Sequence, residues 1–303
     1  ITLLNAGRLK GLGTNNLKGK AFVTSGLGGM SGAQARALLV TGATGIIAEV
    51  DKDAIHQRIA DHYIRQEDVF TDLDTMLTQF TAAKAAEEAR CFVYQGNIVD
   101  VWERLVFRHI QIELGSDQTS CHNIDHLGYC PVECTFEEAK VLLDDDKEAF
   151  DHAVKRSLRR HVDAINVMCS RGMYFWDYGN AFLFEAAKAG ADIMDPHQPS
   201  GFKYPSYVED IMGPMCFDYG FGPFRWICTS GDNADLKTTD VIAGEAIRDM
   251  LRTCPQEIRS QWEDNLHWIE TAGTNISAVG RKSRILYADA DGRINIARRF
   301  NQA

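Results

Sequence analysis

Short apolar runs alternate with amphipathic segments along the first third of the chain. The apolar runs have the length and composition of buried strands and cover residues 21–25, 45–50 and 91–94. Helical spacing of apolar residues predicts helices over 33–41, 51–63, 72–89 and 98–109, with Thr71 and Asp72 as a plausible N-cap region for the third of them. Strands that alternate with helices in this way indicate βαβ units, so we predict an α/β fold with a parallel sheet.

The pattern changes after residue 130. Thr135 and Glu138 have the spacing of a capping box at the start of a helix. A long amphipathic helix is predicted over 147–173, where apolar residues recur every three or four positions and Gly172 ends the pattern. Loops dense in glycine, proline and aromatic residues follow residue 200, and another helix is predicted near 239–252. This change of pattern places a domain boundary near residue 200.

Composition and charge narrow the class of protein. The formal net charge of −10 argues against a nucleic-acid partner, because a phosphate backbone favours a basic surface. No apolar run approaches the roughly 20 residues of a membrane span, and no signal peptide opens the chain. The eight cysteines are scattered and are expected to be reduced thiols, as in a cytoplasmic protein. The chain lacks an initiator methionine and ends in mid-pattern, so we expect a fragment of a longer protein.

A glycine-rich stretch over 26–32 follows the first predicted strand and precedes the first predicted helix. Glycines at such a turn allow positive φ and let the backbone approach a pyrophosphate, which the helix N-terminus then favours electrostatically. Glu49 lies seventeen residues beyond Gly32, at the end of the next predicted strand, where a carboxylate accepts hydrogen bonds from a ribose and favours NAD over NADP. The third glycine falls one residue later than in the standard fingerprint, so a glycine-rich turn without a ligand is the alternative.

A polar run over 117–123 (DQTSCHN) is unusually dense for a connector and suits contacts to a polar ligand, although a hydrogen-bonded structural turn is the alternative. This run and the residues that follow it contain two pairs of residues whose spacing is close to that of zinc ligands: His122 with His126, and Cys130 with Cys134. However, this segment contains Gly128 and follows a predicted strand. Both features favour a loop beside a nucleotide crevice, so we expect no metal.

A second candidate loop covers 213–231 and is rich in glycine and aromatic residues around Arg225. An arginine in such surroundings is well suited to hold a planar carboxylate through two hydrogen bonds in a dry pocket. The alternative, an aromatic corner of the core with Arg225 in a salt bridge, is equally compatible with the residues alone.

Taken together, these segments resemble the urocanase family. The matching stretches are 19–34, 95–100, 115–123, 175–183 and 204–231, which run in family order and cover nearly the whole chain. The resemblance implies a Rossmann-type NAD-binding domain over 1–203, part of a core domain over 204–303, and an active site between the two in a homodimer. It implies NAD+ contacts from Gly29, Met30, Ser31, Glu49, Asn97, Ile98, Gln118, Thr119, Ser120, Cys121, His122, Tyr129, Cys130 and Tyr178.

The function implied by the resemblance is hydration of urocanate to 4-imidazolone-5-propanoate, with NAD+ as an electrophile that accepts electrons from the substrate's imidazole ring. Arg225 matches the residue that holds the urocanate carboxylate. His122 either helps in proton transfer or donates a hydrogen bond to the cofactor, and the residues alone favour neither role. A conventional NAD-dependent dehydrogenase, which would show net NADH formation, and an NAD-binding protein without catalysis remain the alternatives.

Two departures from the family pattern limit what can be transferred. Bacterial members carry Ala-Arg-Ile-Cys-Trp where this chain has residues 283–287 (SRILY), so Leu286 replaces the cysteine and no thiol role carries over. Cys216 does not align with that position. The family's Arg-Asp-His stretch, expected to supply an acid/base aspartate, lies beyond Ala303.

Overall fold

Six strands of the chain form one parallel sheet. The structure, a computed structural model, describes residues 1–13, 15–29, 31–179, 181–273 and 283–303. The strands are β1 (Ala21–Ser25), β2 (Thr44–Glu49), β3 (Val69–Phe70), β4 (Arg90–Gln95), β5 (Leu114–Asp117) and β6 (Tyr174–Asp177), in the spatial order β3-β4-β2-β1-β5-β6. All five pairings are parallel. The predicted α/β fold with a parallel sheet is therefore confirmed.

Helices connect these strands and continue beyond them. They are α1 (Thr2–Leu9), α2 (Ala33–Thr41), α3 (Lys52–Ala60), α4 (Leu73–Ala85), α5 (Ile98–Phe107), α6 (Phe136–Asp145), α7 (Lys147–Ser170), α8 (Phe182–Lys188), α9 (Gly213–Met215), α10 (Asn233–Leu251), α11 (Gln256–Thr271) and α12 (Ala290–Gln302). A π-helical segment covers Tyr207–Met212. Strands β7 (Gly222–Ile227) and β8 (Ser283–Ala288) pair antiparallel in a separate two-stranded sheet. Within the described ranges, no helix combines the length and the apolar character of a membrane span.

Local sequence chemistry explains where the helices begin. Asp51, Asp72 and Asn97 each accept a hydrogen bond from a backbone N–H in the first turn of α3, α4 and α5. Thr135 and Glu138 form the reciprocal bonds of a capping box at α6, as predicted. Side-chain caps satisfy N–H groups that the helix itself leaves without partners.

Several bounds differ from the predictions. Strand β2 begins and ends one residue before the predicted 45–50, and α3 and α4 stop at Ala60 and Ala85. The helix predicted from 239 begins at Asn233, because Asp232 caps it. The segment 213–231 was predicted to be a loop, and this is wrong for its centre. Residues 222–227 form β7, whose alternate residues are partly buried and whose backbone pairs with β8. Strands β3, β6 and β8 and helices α1, α8, α9, α11 and α12 were not predicted.

The chain divides into two compact units. One consists of residues 17–208 and contains the parallel sheet, and the other consists of residues 1–16 and 209–303. In the second unit, α1 is attached to α11 by the Arg8 guanidinium, which donates two hydrogen bonds of 2.7 Å to the Asp264 carboxylate. The predicted division into 1–203 and 204–303 stays a prediction; the grouping of the first sixteen residues with the C-terminal part was not expected.

Candidate functional site

The strand order reverses direction at β1, and the glycine-rich turn follows this strand. Chain order from β1 leads to β2 and β4 on one side of β1, and then to β5 and β6 on the other. In open parallel sheets, ligands bind at the carboxyl ends of the strands where the order reverses in this way. A ligand site is therefore expected among the residues that follow β1, β2, β4 and β5.

The turn after β1 requires glycine and leaves the helix that follows without a side-chain cap. Gly26 has a φ of +87°, and a Cβ there would lie 3.0 Å from the Ser31 hydroxyl oxygen. Gly29 is exposed, and nothing lies within 4 Å of where its Cβ would be. Helix α2 begins after Gly32 with no side-chain cap. No side chain of a described residue therefore neutralises the partial positive charge at the start of this helix, which favours an anion there.

Glu49 connects the end of β2 to the glycine-rich turn. Its carboxylate accepts hydrogen bonds from the Leu27 N–H at 2.6 Å and from the Asp51 N–H at 2.9 Å. Burial raises the pKa of this carboxyl, and the hydrogen bonds oppose that shift. The side chain also lines the cleft described below. Its predicted contact to a ribose stays a prediction.

Asn97 holds the end of β4 against a segment 33 residues further along the chain. Its amide oxygen accepts from the Val99 N–H at 2.9 Å and so caps α5. Its amide nitrogen donates to the Cys130 carbonyl, also at 2.9 Å. The side chain therefore fixes Cys130 and the adjacent Tyr129 beside the sheet edge.

Asp117 ends β5 and is completely buried. Its carboxylate accepts hydrogen bonds from the Ser25 hydroxyl at 2.9 Å, from the Thr119 N–H at 2.9 Å, and from the Thr119 hydroxyl. The pKa of Asp117 is raised to about 6, mainly by burial and also by Asp177, its register partner on β6, against the lowering effect of these hydrogen bonds. One buried carboxylate thus joins the ends of β1 and β5.

The segment 118–130 folds back over itself after β5. A short 3-10 helix covers Cys121–His126, and Leu127 follows with a φ of +60°. Gly128 accepts a hydrogen bond from the Ser120 N–H and donates to the Asn123 carbonyl. The Tyr129 hydroxyl then lies 3.3 Å from Nδ1 of His161 on α7, which is buried.

Together these residues line a cleft with a volume of about 340 Å³. Nine of the predicted cofactor-contact residues lie in its wall: Ser31, Glu49, Asn97, Ile98, Gln118, Thr119, Ser120, Tyr129 and Cys130. An adjoining hollow of about 710 Å³ shares Val50, Asp51, Gly96, Asn97 and Phe136 with the cleft. Pockets for ligands of moderate size span roughly 300–1,000 Å³, so the cleft has the capacity of a binding site.

Four described residues among the other predicted contacts do not line this cleft. Gly29 is exposed at the turn and His122 is exposed in the 3-10 helix. Cys121 is buried behind Thr119, with its sulfur 3.3 Å from the Thr119 hydroxyl. Tyr178 follows β6, where its ring packs against Trp176 and Tyr207. Met30 lies outside the described residues.

Sequence reasoning missed some residues that shape the cleft. Ala54 and Phe136 line it but carry no chemical signature. Gly128 was noted only as evidence against zinc, although a Cβ there would lie 2.1 Å from the Ser120 carbonyl oxygen. His161 occupies the apolar face of α7, where a histidine has no local feature to mark it. Among the described residues, no group of three or more His, Cys, Asp or Glu side chains is arranged to hold a metal.

Arg225 lies on β7, in the second unit. The side chain is exposed, and it forms no ion pair with any residue in the described ranges. Its cross-strand partner is Ile285, next to the buried Leu286. The expected alternative of a salt bridge within an aromatic corner therefore finds no support in this part of the chain, and the carboxylate role stays a prediction.

Cys216 has a structural environment. It is buried in the second unit, where its thiol donates to the Gln261 amide oxygen at 3.1 Å and accepts from the Asn5 amide at 3.5 Å. Burial raises its pKa to about 11. A thiol with these properties is a poor nucleophile at neutral pH.

Comparisons with known proteins agree with this geometry. The Urocanase Rossmann-like domain matches residues 1–211, and the Urocanase C-terminal domain matches residues 214–303. The chain is 47% identical to the urocanate hydratase of Mus musculus and 46% identical to that of Homo sapiens. It is 48% identical to a probable urocanate hydratase of Dictyostelium discoideum. Each comparison covers the whole chain, which spans 45% of the length of each of these relatives. The chain belongs to the urocanase family.

Proposed function

We propose that the cleft in residues 17–208 binds NAD+ and that the protein is a urocanate hydratase. A Rossmann-like domain in this family is consistent with a nucleotide cofactor. One observation carries the proposal: the glycine-rich turn, the start of α2 and the partly buried Glu49 lie together at the point where the strand order of the parallel sheet reverses. The relatives that match the whole chain are named urocanate hydratase.

The residues present suit a dinucleotide. The exposed backbone at Gly28 and Gly29 leaves room for a pyrophosphate at the start of α2. Glu49 faces the cleft from β2, the position of the ribose-binding carboxylate in this fold. NAD+, when bound, supplies an electron-poor ring that draws electrons from the substrate's imidazole, so that water adds to the activated substrate ring. The protein's part is to hold the two rings in the orientation that the reaction needs.

The cofactor proposal is tested by denaturing the purified chain and measuring released NAD+ by mass spectrometry. We expect about one NAD+ per chain, because a Rossmann-type cleft encloses most of its ligand. Chain that is purified without cofactor should bind added NAD+ in calorimetry, with NADP+ as the matched comparison. NADP+ should bind more weakly, since its 2′-phosphate would meet the Glu49 carboxylate. If no NAD+ is released on denaturation and the chain also fails to bind added NAD+, the proposal is contradicted for this chain.

Arg225 is proposed to hold the substrate carboxylate. In the full-length enzyme, Arg225→Ala should raise the KM for urocanate by roughly 10- to 100-fold, the value of a lost charged hydrogen bond. The NAD+ content should not change. Arg225→Lys keeps the charge but not the planar fork and should recover only part of the loss. Arg252→Ala, which removes another exposed arginine from the same unit, serves as the control. An unchanged KM in Arg225→Ala would contradict the assignment.

Two further properties are proposed from family membership. We infer a homodimer, which sedimentation of the full-length protein would test, and a cytoplasmic location. Conversion of urocanate without net NADH formation would separate this proposal from a conventional dehydrogenase.

A further inference from the structure

Asp117 is a completely buried carboxylate that the proposed function does not use. It does not line the cleft. Each of its hydrogen-bond donors does: Ser25 from the end of β1, and Thr119 through both its backbone N–H and its hydroxyl. A buried acceptor that is surrounded in this way determines where its donors lie.

The same carboxylate reaches a further cleft residue through Ser25. The Ser25 hydroxyl oxygen accepts a hydrogen bond of 3.2 Å from the Gln118 N–H while the hydroxyl donates to Asp117. A Cβ on Gly26 would lie 3.5 Å from the Gln118 carbonyl oxygen, so the glycine-rich turn and the residues after β5 are in close contact. Asp117 therefore fixes residues 118 and 119 against the end of β1.

This position is costly for the stability of the fold. Burial raises the pKa of Asp117, and Asp177 is its register partner on the adjacent strand. The other titratable groups that act on or near Asp117 are Cys121 and Tyr129, which are neutral thiol and phenol groups because burial raises their pKa values. No cation is among the contacts that Asp117 makes with described residues. An asparagine or a leucine would avoid the like charge, so stability alone does not account for a carboxylate here.

The strand order indicates which half of the ligand this corner serves. Glu49, on β2, and the hollow beyond it lie on one side of β1, and residues 118–120 follow β5 on the other side. A dinucleotide that places its pyrophosphate at the glycine-rich turn and its adenosine ribose at Glu49 must direct its other nucleoside towards β5.

We propose that Asp117 is the positioning residue for the nicotinamide half of the cofactor. Its carboxylate binds Ser25 and Thr119 and so holds residues 118–120 in the conformation that contacts this half, while the adenosine half binds without it. The inference rests on the proposed binding of NAD+ and goes beyond it by assigning a role to a residue that no ligand touches.

The test compares NAD+ with ADP, which carries the adenosine half and the diphosphate alone. Calorimetry on the 303-residue chain should show that Asp117→Asn weakens NAD+ binding by roughly 10- to 100-fold, the value of lost hydrogen bonds to a charged group. Asparagine presents an N–H to the Ser25 hydroxyl, which then cannot keep both of its present bonds. The affinity for ADP should stay within about twofold of the unaltered chain, a result that general loosening of the fold would not give.

Ser116→Ala is the matched control. Ser116 precedes Asp117, is completely buried, and shares a hydrogen bond of 2.8 Å with Thr24 rather than with any cleft residue. Its replacement should lower stability without changing the affinity for either ligand. If Asp117→Asn does not fold, Thr119→Val removes one of the same hydrogen bonds, keeps the shape of the side chain, and should weaken NAD+ binding by roughly 2- to 10-fold with ADP unaffected.

The outcomes separate the two levels of the proposal. Unaltered chain that binds neither NAD+ nor ADP would contradict the proposed function itself. Unaltered chain that binds both, with Asp117→Asn and Thr119→Val binding NAD+ equally well, would overturn the role of Asp117. Equal losses for NAD+ and ADP would also overturn it, because the carboxylate would then support the whole cleft rather than one half.

Discussion

Gly128→Ala is expected to weaken NAD+ binding by roughly 10- to 100-fold. An extra methyl group in a packed site costs about 1–3 kcal/mol, and here it would displace residues that line the cleft. The added Cβ would lie 2.1 Å from the Ser120 carbonyl oxygen and 2.8 Å from the Asn123 carbonyl oxygen. Both are backbone atoms, so no side-chain rotation relieves the contact. Ser120, Gly128 and the following Tyr129 all line the cleft, and the Ser120–Gly128 hydrogen bond must break.

Gly244→Ala provides the matched control for this substitution. Gly244 lies within α10 in the other unit, and a Cβ there would have only ordinary contacts, the nearest atoms being 3.7 and 3.8 Å away. Alanine in a helix interior is favoured over glycine by about 1 kcal/mol, so this variant should gain stability and bind NAD+ normally. Calorimetry with NAD+ and urea unfolding of both variants measure the two effects. Full affinity in Gly128→Ala would show that residues 120–128 are not part of the binding site.

His161→Gln is expected to make the protein less sensitive to acid. His161 has none of its surface exposed, its Nδ1 lies 3.3 Å from the Tyr129 hydroxyl, and its Nε2 has no hydrogen-bond partner among the described residues. Burial lowers its pKa to about 3. The unfolded chain binds a proton on this ring at about pH 6.5, whereas the folded chain does not, so stability falls as the pH drops from about 6.5 towards 3. The free energy of unfolding that is lost through this ring is about 2 kcal/mol at pH 5. It is roughly 5 kcal/mol at a pH below about 3, where the ring is protonated in both the folded and the unfolded chain.

The measurement is urea unfolding of the unaltered chain and of His161→Gln at pH 7.5, 6 and 5. Above pH 6.5 the contribution of this ring to the pH dependence vanishes, so the two curves should run parallel there. Below it, the variant should lose less stability with each unit of pH. His152→Gln is the control, since His152 lies on the same helix with 63% of its side chain exposed. Equal acid sensitivity in His161→Gln and the unaltered chain would contradict a neutral, buried imidazole.

The half of the fold that carries the cleft could be predicted from local signals. Strand β1 and helix α2 have the predicted bounds, because an apolar run, a glycine-rich turn and an alanine-rich segment each restrict the backbone locally. The capping box at Thr135 is also a short-range feature. Glu49, Asn97 and Gln118 lie in one cleft because the carboxyl ends of parallel strands share an edge of the sheet.

The remaining features depend on residues far apart in the chain. The pairing of β7 with β8 joins segments near 225 and 285, and neither segment alone indicates its partner. The burial of His161 follows from the packing of α7, not from the residue type, which is polar. Asp117 belonged to a polar run for which ligand contacts and a hydrogen-bonded turn were both open; its carboxylate lies behind the cleft surface, bonded to Ser25 and Thr119. Sequence patterns identify such residues only when their distant partners are known.

The discontinuous unit imposes an order on biosynthesis. Residues 17–208 are complete as soon as they leave the ribosome, whereas α1 must wait for α11, because Asn5 and Arg8 find their partners at Gln261 and Asp264. At elongation rates of about 5–20 residues per second, that wait lasts on the order of ten seconds or more. During this interval all six strands of the parallel sheet are synthesised, whereas Leu3 and Leu4, which are buried in the final structure, still lack the C-terminal part of their unit. The docking of α1 on α11 is therefore a late step in folding.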